Sequence, residues 1–191
     1  MRQPATTMEN EDDGALVFRV AEPKDRARVC ATIAAAFIDA ASPEMTYFFG
    51  ERFAELAPVF AGNLFDKRVG RSTVWVTDDC SAAALWDAPE QGLAARPAAD
   101  LPCNTPDERA GVPPPTPTPL PPDVQERLDE YDHIVHDLLP PQPYWYLGIL
   151  ARHPSRRGRG LARRLTRLVL EQAGCHGSAD TNVPAVLETT N

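Results

Sequence analysis

The chain has 191 residues, of which 43% are hydrophobic and 24% charged, and its formal net charge is −8. This length is sufficient for one domain with a core of its own, and no window approaches the roughly 20 consecutive apolar residues of a membrane span. The four cysteines are too widely spaced for a paired zinc motif or a dense disulfide framework, so the sequence predicts a reduced, cytoplasmic setting.

The chain begins with a polar, acidic segment that lacks the apolar core of a secretory signal. We therefore predict a disordered tail over residues 1–15 and a single domain over residues 16–191. Leu16–Val20 predicts a short strand, and two amphipathic helices follow, one opened by Pro23 and one over Glu51–Lys67. The predicted core-facing residues are Cys30, Ile33, Ala34, Phe37 and Ile38 in the first helix and Phe53, Leu56, Phe60 and Leu64 in the second.

Residues 91–122 form a proline-rich segment between a predicted hairpin and a predicted helix. The hairpin pairs Thr73–Thr77 with Ser81–Trp86, and the helix runs over Val124–Leu139 with Asp123 as its N-cap. Nine of the 20 prolines lie in the last 21 residues of the segment, which therefore cannot join a sheet ladder or a helix interior. We predict a stiff surface insertion in polyproline II conformation rather than a docking peptide for a proline-binding module, because only composition favours docking. The apolar residues near one face of the helix are Leu128, Tyr131, Ile134, Val135 and Leu138.

A strand, a basic loop and a helix follow in direct succession. The apolar strand over Tyr144–Ala151 ends before Pro154, and a helix begins at Leu161, with Gly174 as its predicted C-terminal stop. This arrangement leaves backbone N–H groups free at the helix N-terminus, where the helix dipole also favours an anion. Residues 152–167 contain seven arginines and no acid, and removing those seven charges from −8 leaves −15 for the rest of the chain. An acidic body argues against a general nucleic-acid binder. Since Gly158 and Gly160 let a ligand come close to the backbone and the arginines add positive charge there, we predict that the loop binds a diphosphate.

The loop matches neither of two common phosphate-binding motifs. A Walker A loop places Lys-Ser or Lys-Thr where Leu161-Ala162 stands, and a dinucleotide fingerprint places a third glycine where Arg163 stands. The pattern Arg157-Gly-Arg-Gly-Leu-Ala162, after a strand that ends at His153-Pro154, closely resembles motif A of the GNAT superfamily of N-acetyltransferases. In that family the pattern Arg/Gln-x-x-Gly-x-Gly/Ala surrounds the pyrophosphate of acetyl-coenzyme A (acetyl-CoA).

The resemblance implies a fold, an activity and a co-substrate. The element order over residues 16–90 and 123–191 implies an α/β domain with a mixed, mostly antiparallel sheet flanked by helices. The implied reaction transfers an acetyl group from acetyl-CoA to an amine, and backbone N–H groups at the end of the strand stabilise the oxyanion and contact the pantetheine arm. The implied cofactor-binding residues are Leu150, Ala151, Arg152, Arg157, Gly158, Arg159, Gly160, Leu161 and Ala162. Small amines, antibiotics, peptide N-termini and lysine side chains are all open as the acceptor, and neither nucleic acid nor membrane is predicted as a partner.

The resemblance also implies a domain that is incomplete at its C-terminal end. A last strand is predicted over Pro184–Glu188, whereas the family's domain continues with a helix and two strands. We therefore predict that this strand is an exposed sheet edge through which the chain self-associates. The family's usual general acid is a tyrosine of the missing helix, so no catalytic residue is assigned, and Glu188 is more readily explained as structural than as a base. His133 and His136 lack a third ligand, so no metal site is predicted. The residues expected either to shape an acceptor pocket or simply to pack are Glu44, Met45, Tyr47, Phe48, Trp86 and Asp87.

Three functions are consistent with these observations. The first is an acetyl-CoA-dependent N-acetyltransferase. The second is a non-catalytic CoA-binding or regulatory remnant of such an enzyme, which keeps the diphosphate loop and lacks the elements that close the acceptor side. The third is an interaction protein in which Arg156–Arg159 binds nucleic acid and the proline tract binds a partner; the flanking strand and helix argue against it.

Overall fold

The structure is a computed structural model that describes residues 17–40, 42–89, 116–172 and 183–187. Five strands and five α-helices make up the described part. The strands are β1 (Phe18–Val20), β2 (Val74–Thr77), β3 (Ala82–Asp87), β4 (Trp145–Arg152) and β5 (Ala185–Leu187). The helices are α1 (Arg26–Ala40), α2 (Pro43–Phe49), α3 (Phe53–Val69), α4 (Pro122–Leu138) and α5 (Leu161–Gln172).

The five strands form one sheet in the order β1-β2-β3-β4-β5. The first three pairings are antiparallel and the pairing of β4 with β5 is parallel. The predicted hairpin is confirmed as β2 and β3, and the parallel pair is connected through α5, as a strand–helix–strand unit requires. This mixed, mostly antiparallel sheet confirms the predicted fold class. Self-association through β5 stays a prediction.

Helices cover both faces of the sheet. On one face α1 and α3 pack over a cluster that includes Val29, Ile33, Phe65, Val76 and Leu85. On the other face α5 packs over a second cluster, which includes Trp75, Trp86, Leu147, Leu161 and Leu165. The prediction for Ile38 is wrong, because this residue lies in the last turn of α1 and is 47% exposed. The three layers place the junction of β4 and α5 at the surface, where a ligand can reach it.

A third apolar cluster joins α2, α3 and α4 beside the sheet. It is built from aromatic side chains, and Phe48 contacts Tyr131 with ring centroids 5.0 Å apart. The guanidinium of Arg127 donates to the carbonyl of Phe48 at 2.9 and 2.7 Å and so satisfies the C-terminal end of α2. Ile134 and Leu138 were predicted near the apolar face of α4 but are 54% and 80% exposed, because α4 packs on the third cluster through Val124, Leu128 and Tyr131, which precede them.

The end of the proline-rich segment is bound to the domain. The Asn63 side chain donates to the carbonyl of Thr118 and accepts from its N–H, both at 2.9 Å, and Leu120 packs on the third cluster. These contacts attach Thr118 and Leu120 to the domain, and the surface-insertion interpretation of the segment stays a prediction. The N-cap prediction is wrong. Pro121 is the N-cap, and Pro122 occupies the first helical position, which suits a proline. Asp123 lies inside the helix, where it accepts from Arg52 at 2.5 Å.

Several predictions concern residues outside the described ranges. These are the tail over 1–15, most of the proline-rich segment, the helix stop at Gly174 and the role of Glu188. Among the residues that are described, no helix is long and apolar enough to cross a membrane. Cys30 and Cys80 are buried free thiols.

Candidate functional site

Strand β4 carries a β-bulge at Gly148. In the pairing with β3, Leu85 lies opposite Ile149 but Trp86 lies opposite Leu147, so Gly148 is an extra residue. Leu147 packs beneath α5 and Ile149 packs beneath α1 and α3, although an unbroken strand would place both side chains on one face. The bulge therefore turns the residue after Ile149 towards the α5 side of the sheet.

Beyond the bulge, one edge of β4 has backbone groups without a partner strand. The N–H of His153 donates to the carbonyl of Ser81 at 2.7 Å, so the alternate residue Ala151 also directs its backbone groups towards β3. Leu150 and Arg152 direct theirs to the opposite side. Since β5 pairs only with the first half of β4, this side is open within the described ranges.

The three strand residues predicted to contact the coenzyme therefore differ in what they offer. Leu150 is 40% exposed and Arg152 is half-buried, and both have backbone groups on the open edge. Ala151 is 3% exposed and its backbone groups are bound within the sheet. Ala151 thus shapes the strand but has no free backbone group for a ligand.

The loop after β4 turns twice before α5 begins. Pro154–Arg156 forms a 3₁₀ turn, and the ring of His153 hydrogen-bonds the hydroxyl of Ser155 at 2.8 Å. Gly158 and Gly160 then adopt φ angles of +80° and +64°, a region in which residues with a side chain are strained. A Cβ at either position would meet no atom within 4 Å, so the surface here is open. The backbone conformation therefore favours glycine at both positions, while the close approach of a ligand to them stays a prediction.

The backbone N–H groups of residues 158–163 face no acceptor among the described residues. The next N–H, that of Arg164, donates to the carbonyl of Gly160 at 3.0 Å and begins the helical pattern. Six consecutive amides at the N-terminus of a helix, next to two glycines, form a site suited to an anion. Leu161 contributes only its amide, because its side chain is 1% exposed and packs in the core beside Leu165.

The loop arginines divide into two groups. Arg156 donates to Asp79 at 3.0 Å, and Arg157 forms an ion pair with Asp39 near the end of α1. Arg159 and Arg163 form no ion pair with a described residue and are exposed. The exposed, unpaired loop side chains at this site are consequently those of Arg159 and Arg163, whereas the N–H of Arg157 already donates to the carbonyl of Pro154 at 3.3 Å.

Asp79 is ionised over the whole physiological range. Burial favours the neutral acid, but hydrogen bonds from Ser81 and Thr77, together with the positive charge of Arg156, outweigh it and lower the pKa of Asp79 to about 2. Its ion pair with Arg156 therefore persists across the physiological pH range.

An apolar cleft of about 330 Å³ lies between β4, β5 and α5, next to the open edge of β4. The hydroxyl of Thr166 in its wall is buried and has no hydrogen-bond partner among the described residues. Leu150 of β4 and side chains of α5 line this cleft together. The lining residues are Leu147, Leu150, Arg163, Thr166, Arg167, Leu170 and Leu187.

The residues considered for an acceptor pocket are mostly core residues. Met45 and Phe48 belong to the third apolar cluster, and Trp86 lies beneath α5 at 1% exposure. Tyr47 is 55% exposed and its hydroxyl donates to Glu130 at 3.3 Å. Glu44 is half-buried in the first turn of α2, and Asp87 accepts from Arg68 at 2.5 Å.

Sequence reasoning did not find four residues that support the site. Asp39 and Asp79 hold the loop arginines, but both lie far from the loop in sequence, and no local pattern indicates their partners. The role of Gly148 could have been inferred from the sequence, since an isolated glycine inside a strand pattern indicates a bulge or a close approach of another group. For Arg68, which lies in the last turn of α3, no local pattern indicates its contact with Gly148.

Comparisons with known proteins identify a structure with a similar fold. No protein-family model matches the sequence, and no curated protein matches it either. Among solved structures, the chain is similar to one described as histone acetyltransferase HPA2 and related acetyltransferase from Corynebacterium glutamicum. The TM-score is 0.52 at 17% sequence identity, and the match covers 83% of this chain and 72% of that chain. The fold of this chain is therefore similar to that of an acetyltransferase, in agreement with the fold expected from the loop motif.

Proposed function

We propose that the chain is an acetyl-CoA-dependent N-acetyltransferase that acts on an amine. One observation carries the proposal: within the described ranges, the six consecutive amides of residues 158–163 have no acceptor, and they lie at a helix N-terminus after a strand whose edge is open there. The likeness in fold to an acetyltransferase structure supports it.

The residues present fit the coenzyme. The pyrophosphate would be held by the amides of residues 158–163, with Arg159 and Arg163 adding positive charge. The pantetheine arm would lie along the open edge of β4 and hydrogen-bond the backbone of Leu150 and Arg152. Bound there, the coenzyme supplies an activated acetyl thioester.

The same strand would stabilise the transition state. Attack by an amine would place negative charge on the thioester oxygen, and a fixed backbone N–H at Leu150 or Arg152 would donate to that oxygen without reorganisation. The attacking alkylamine has a pKa of about 10.4 in water and must lose a proton before it reacts. We assign neither the general base nor the general acid.

A second candidate is a CoA-binding protein without transferase activity. It is favoured by the burial of Met45, Phe48 and Trp86, which leaves no acceptor pocket among those residues. Both candidates use the same anion site, so binding alone does not separate them.

The test has two parts. Acetyl-CoA at about 100 times its Kd should raise Tm by roughly 5–10 °C, whereas NAD and RNA should not. Release of free CoA thiol is then followed with a panel of amines that includes a lysine-containing peptide. Amine-dependent thiol release supports the transferase, binding without release supports the second candidate, and stabilisation by RNA alone contradicts both.

A further inference from the structure

We propose that Asp79 is a positioning residue for the anion site, and that it acts by holding Arg156 and with it the entry of the loop. This inference rests on the proposed function, because it concerns binding of the same coenzyme. It gives Arg156 a structural role, through its ion pair with Asp79, in place of a contact with the phosphates.

Asp79 belongs to a turn that is fixed on several sides. Its Oδ1 atom accepts from the hydroxyl of Thr77 at 2.8 Å and from both the N–H and the hydroxyl of Ser81, at 3.0 and 2.6 Å. From α1, Arg28 donates to the carbonyl of Asp79 at 2.7 Å, and Thr32 donates to the next carbonyl at 2.7 Å. The turn between β2 and β3 is thus a rigid anchor.

The loop is attached to this anchor at two points. The Oδ2 atom of Asp79 accepts from Nη2 of Arg156 at 3.0 Å, and the N–H of His153 donates to the carbonyl of Ser81 at 2.7 Å. These two attachments bracket the 3₁₀ turn Pro154–Arg156, which leads directly into the free amides. Fixing Arg156 therefore fixes the direction from which the chain enters residues 158–163.

If only charge mattered, removing the carboxylate of Asp79 would strengthen anion binding instead of weakening it. A carboxylate near an anion site repels the ligand and keeps Arg156 from reaching it. If Arg156 were a phosphate ligand, removing the charge of Asp79 would release Arg156 and tighten binding. If Asp79 is an anchor, the same change loosens the loop and weakens binding.

The experiment measures the Kd of CoA by titration calorimetry for the wild type, D79N, R156Q and the double variant. Asn at position 79 keeps an oxygen that can accept from the three donors of the turn. R156Q removes the ion pair between Arg156 and Asp79 from the other side and leaves the residues of the turn unchanged. We expect each single variant to bind CoA about fivefold more weakly, as for a partly exposed ion pair. The double variant should bind no more weakly than the weaker single variant.

D78N is the matched control, since Asp78 is the neighbouring acid in the same turn and its side chain is 71% exposed. Its Kd should equal that of the wild type. Unchanged or tighter binding by D79N, or additive losses in the double variant, would overturn the inference while leaving the proposed function in place. A wild-type protein that does not bind CoA would overturn the proposed function itself.

Discussion

The guanidinium of Arg68 lies against the backbone of Gly148 at the bulge of β4. A Cβ placed on Gly148 would be 2.9 Å from Nη2 of Arg68. That same nitrogen donates to Asp87 at 2.5 Å, and Nε of Arg68 is buried without a partner in the described part of the chain. Glycine is required at the bulge because a buried cation approaches the strand closely.

Replacing Gly148 by alanine should destabilise the fold. The added methyl group would displace the guanidinium of Arg68 from its position beside Asp87, and the side chain of Arg68 is only 4% exposed. We expect a loss of about 1–3 kcal/mol in the free energy of unfolding, measured with urea. Gly70 is the control, because a Cβ there would meet nothing within 4 Å, so G70A should be neutral. A G148A protein as stable as G70A would show that Arg68 does not constrain the bulge.

Removing the charge of Asp87 should be costly for a related reason. D87N leaves Arg68, whose side chain is 4% exposed, as a buried cation without its carboxylate, and we expect a cost of about 3 kcal/mol. D66N removes an ion pair to Arg26, whose side chain is 47% exposed and can be hydrated, so it should cost about 1 kcal/mol or less. Equal costs for the two variants, measured by urea unfolding at pH 7, would contradict this interpretation.

Asp25 should make stability depend on pH in the acid range. Two hydrogen bonds from Arg19, at 2.6 and 2.9 Å, outweigh burial and lower the pKa of Asp25 to about 2. The unfolded pKa is about 3.9, so the carboxylate stabilises the fold above pH 4, and that stabilisation is lost as pH falls from 4 towards 2. D25N should be less stable than the wild type by roughly 2 kcal/mol at pH 6, and the difference should fall to below about 0.5 kcal/mol near pH 2. A difference that is the same at both pH values would refute this assignment.

The contact between Asn63 and Thr118 should be visible in amide exchange. The N–H of Thr118 is bonded to the Asn63 side chain, whereas Thr116 lies exposed in the same segment. N63A removes a reciprocal pair of hydrogen bonds worth about 1–2 kcal/mol, so exchange at Thr118 should accelerate roughly 5–30-fold. Thr116 serves as the internal control and should not change. Slow exchange at Thr118 in N63A would mean that the apolar contact of Leu120 alone holds the segment.

The sequence predicted the sheet and the loop because their signals are local. The run Tyr144–Ala151, the proline after it and the two glycines each report on their own backbone, and the structure places a strand, a 3₁₀ turn and two positive φ angles there. Helix α2 was not predicted, because seven residues opened by Pro43 are too short to show helical periodicity.

The sequence does not indicate which side chains form contacts between distant segments of the fold. The ion pair of Arg157 with Asp39 joins residues 118 positions apart, and that of Arg156 with Asp79 joins residues 77 positions apart. Both depend on how α1 and the β2–β3 turn pack beside the loop. The direction of the backbone groups of Ala151 depends in turn on its pairing with β3, which a single strand does not encode.

The central claim is that the amides of residues 158–163 bind the linked phosphates of a coenzyme. The most direct measurement is a titration of ¹⁵N-labelled protein with acetyl-CoA, followed by the amide chemical shifts. We predict that the largest changes occur at residues 158–163, with further changes at Leu150 and Arg152. G160D, which places a carboxylate at the site, should abolish them, and G70D should not. Saturating acetyl-CoA that leaves the amides of residues 158–163 unchanged would contradict the account.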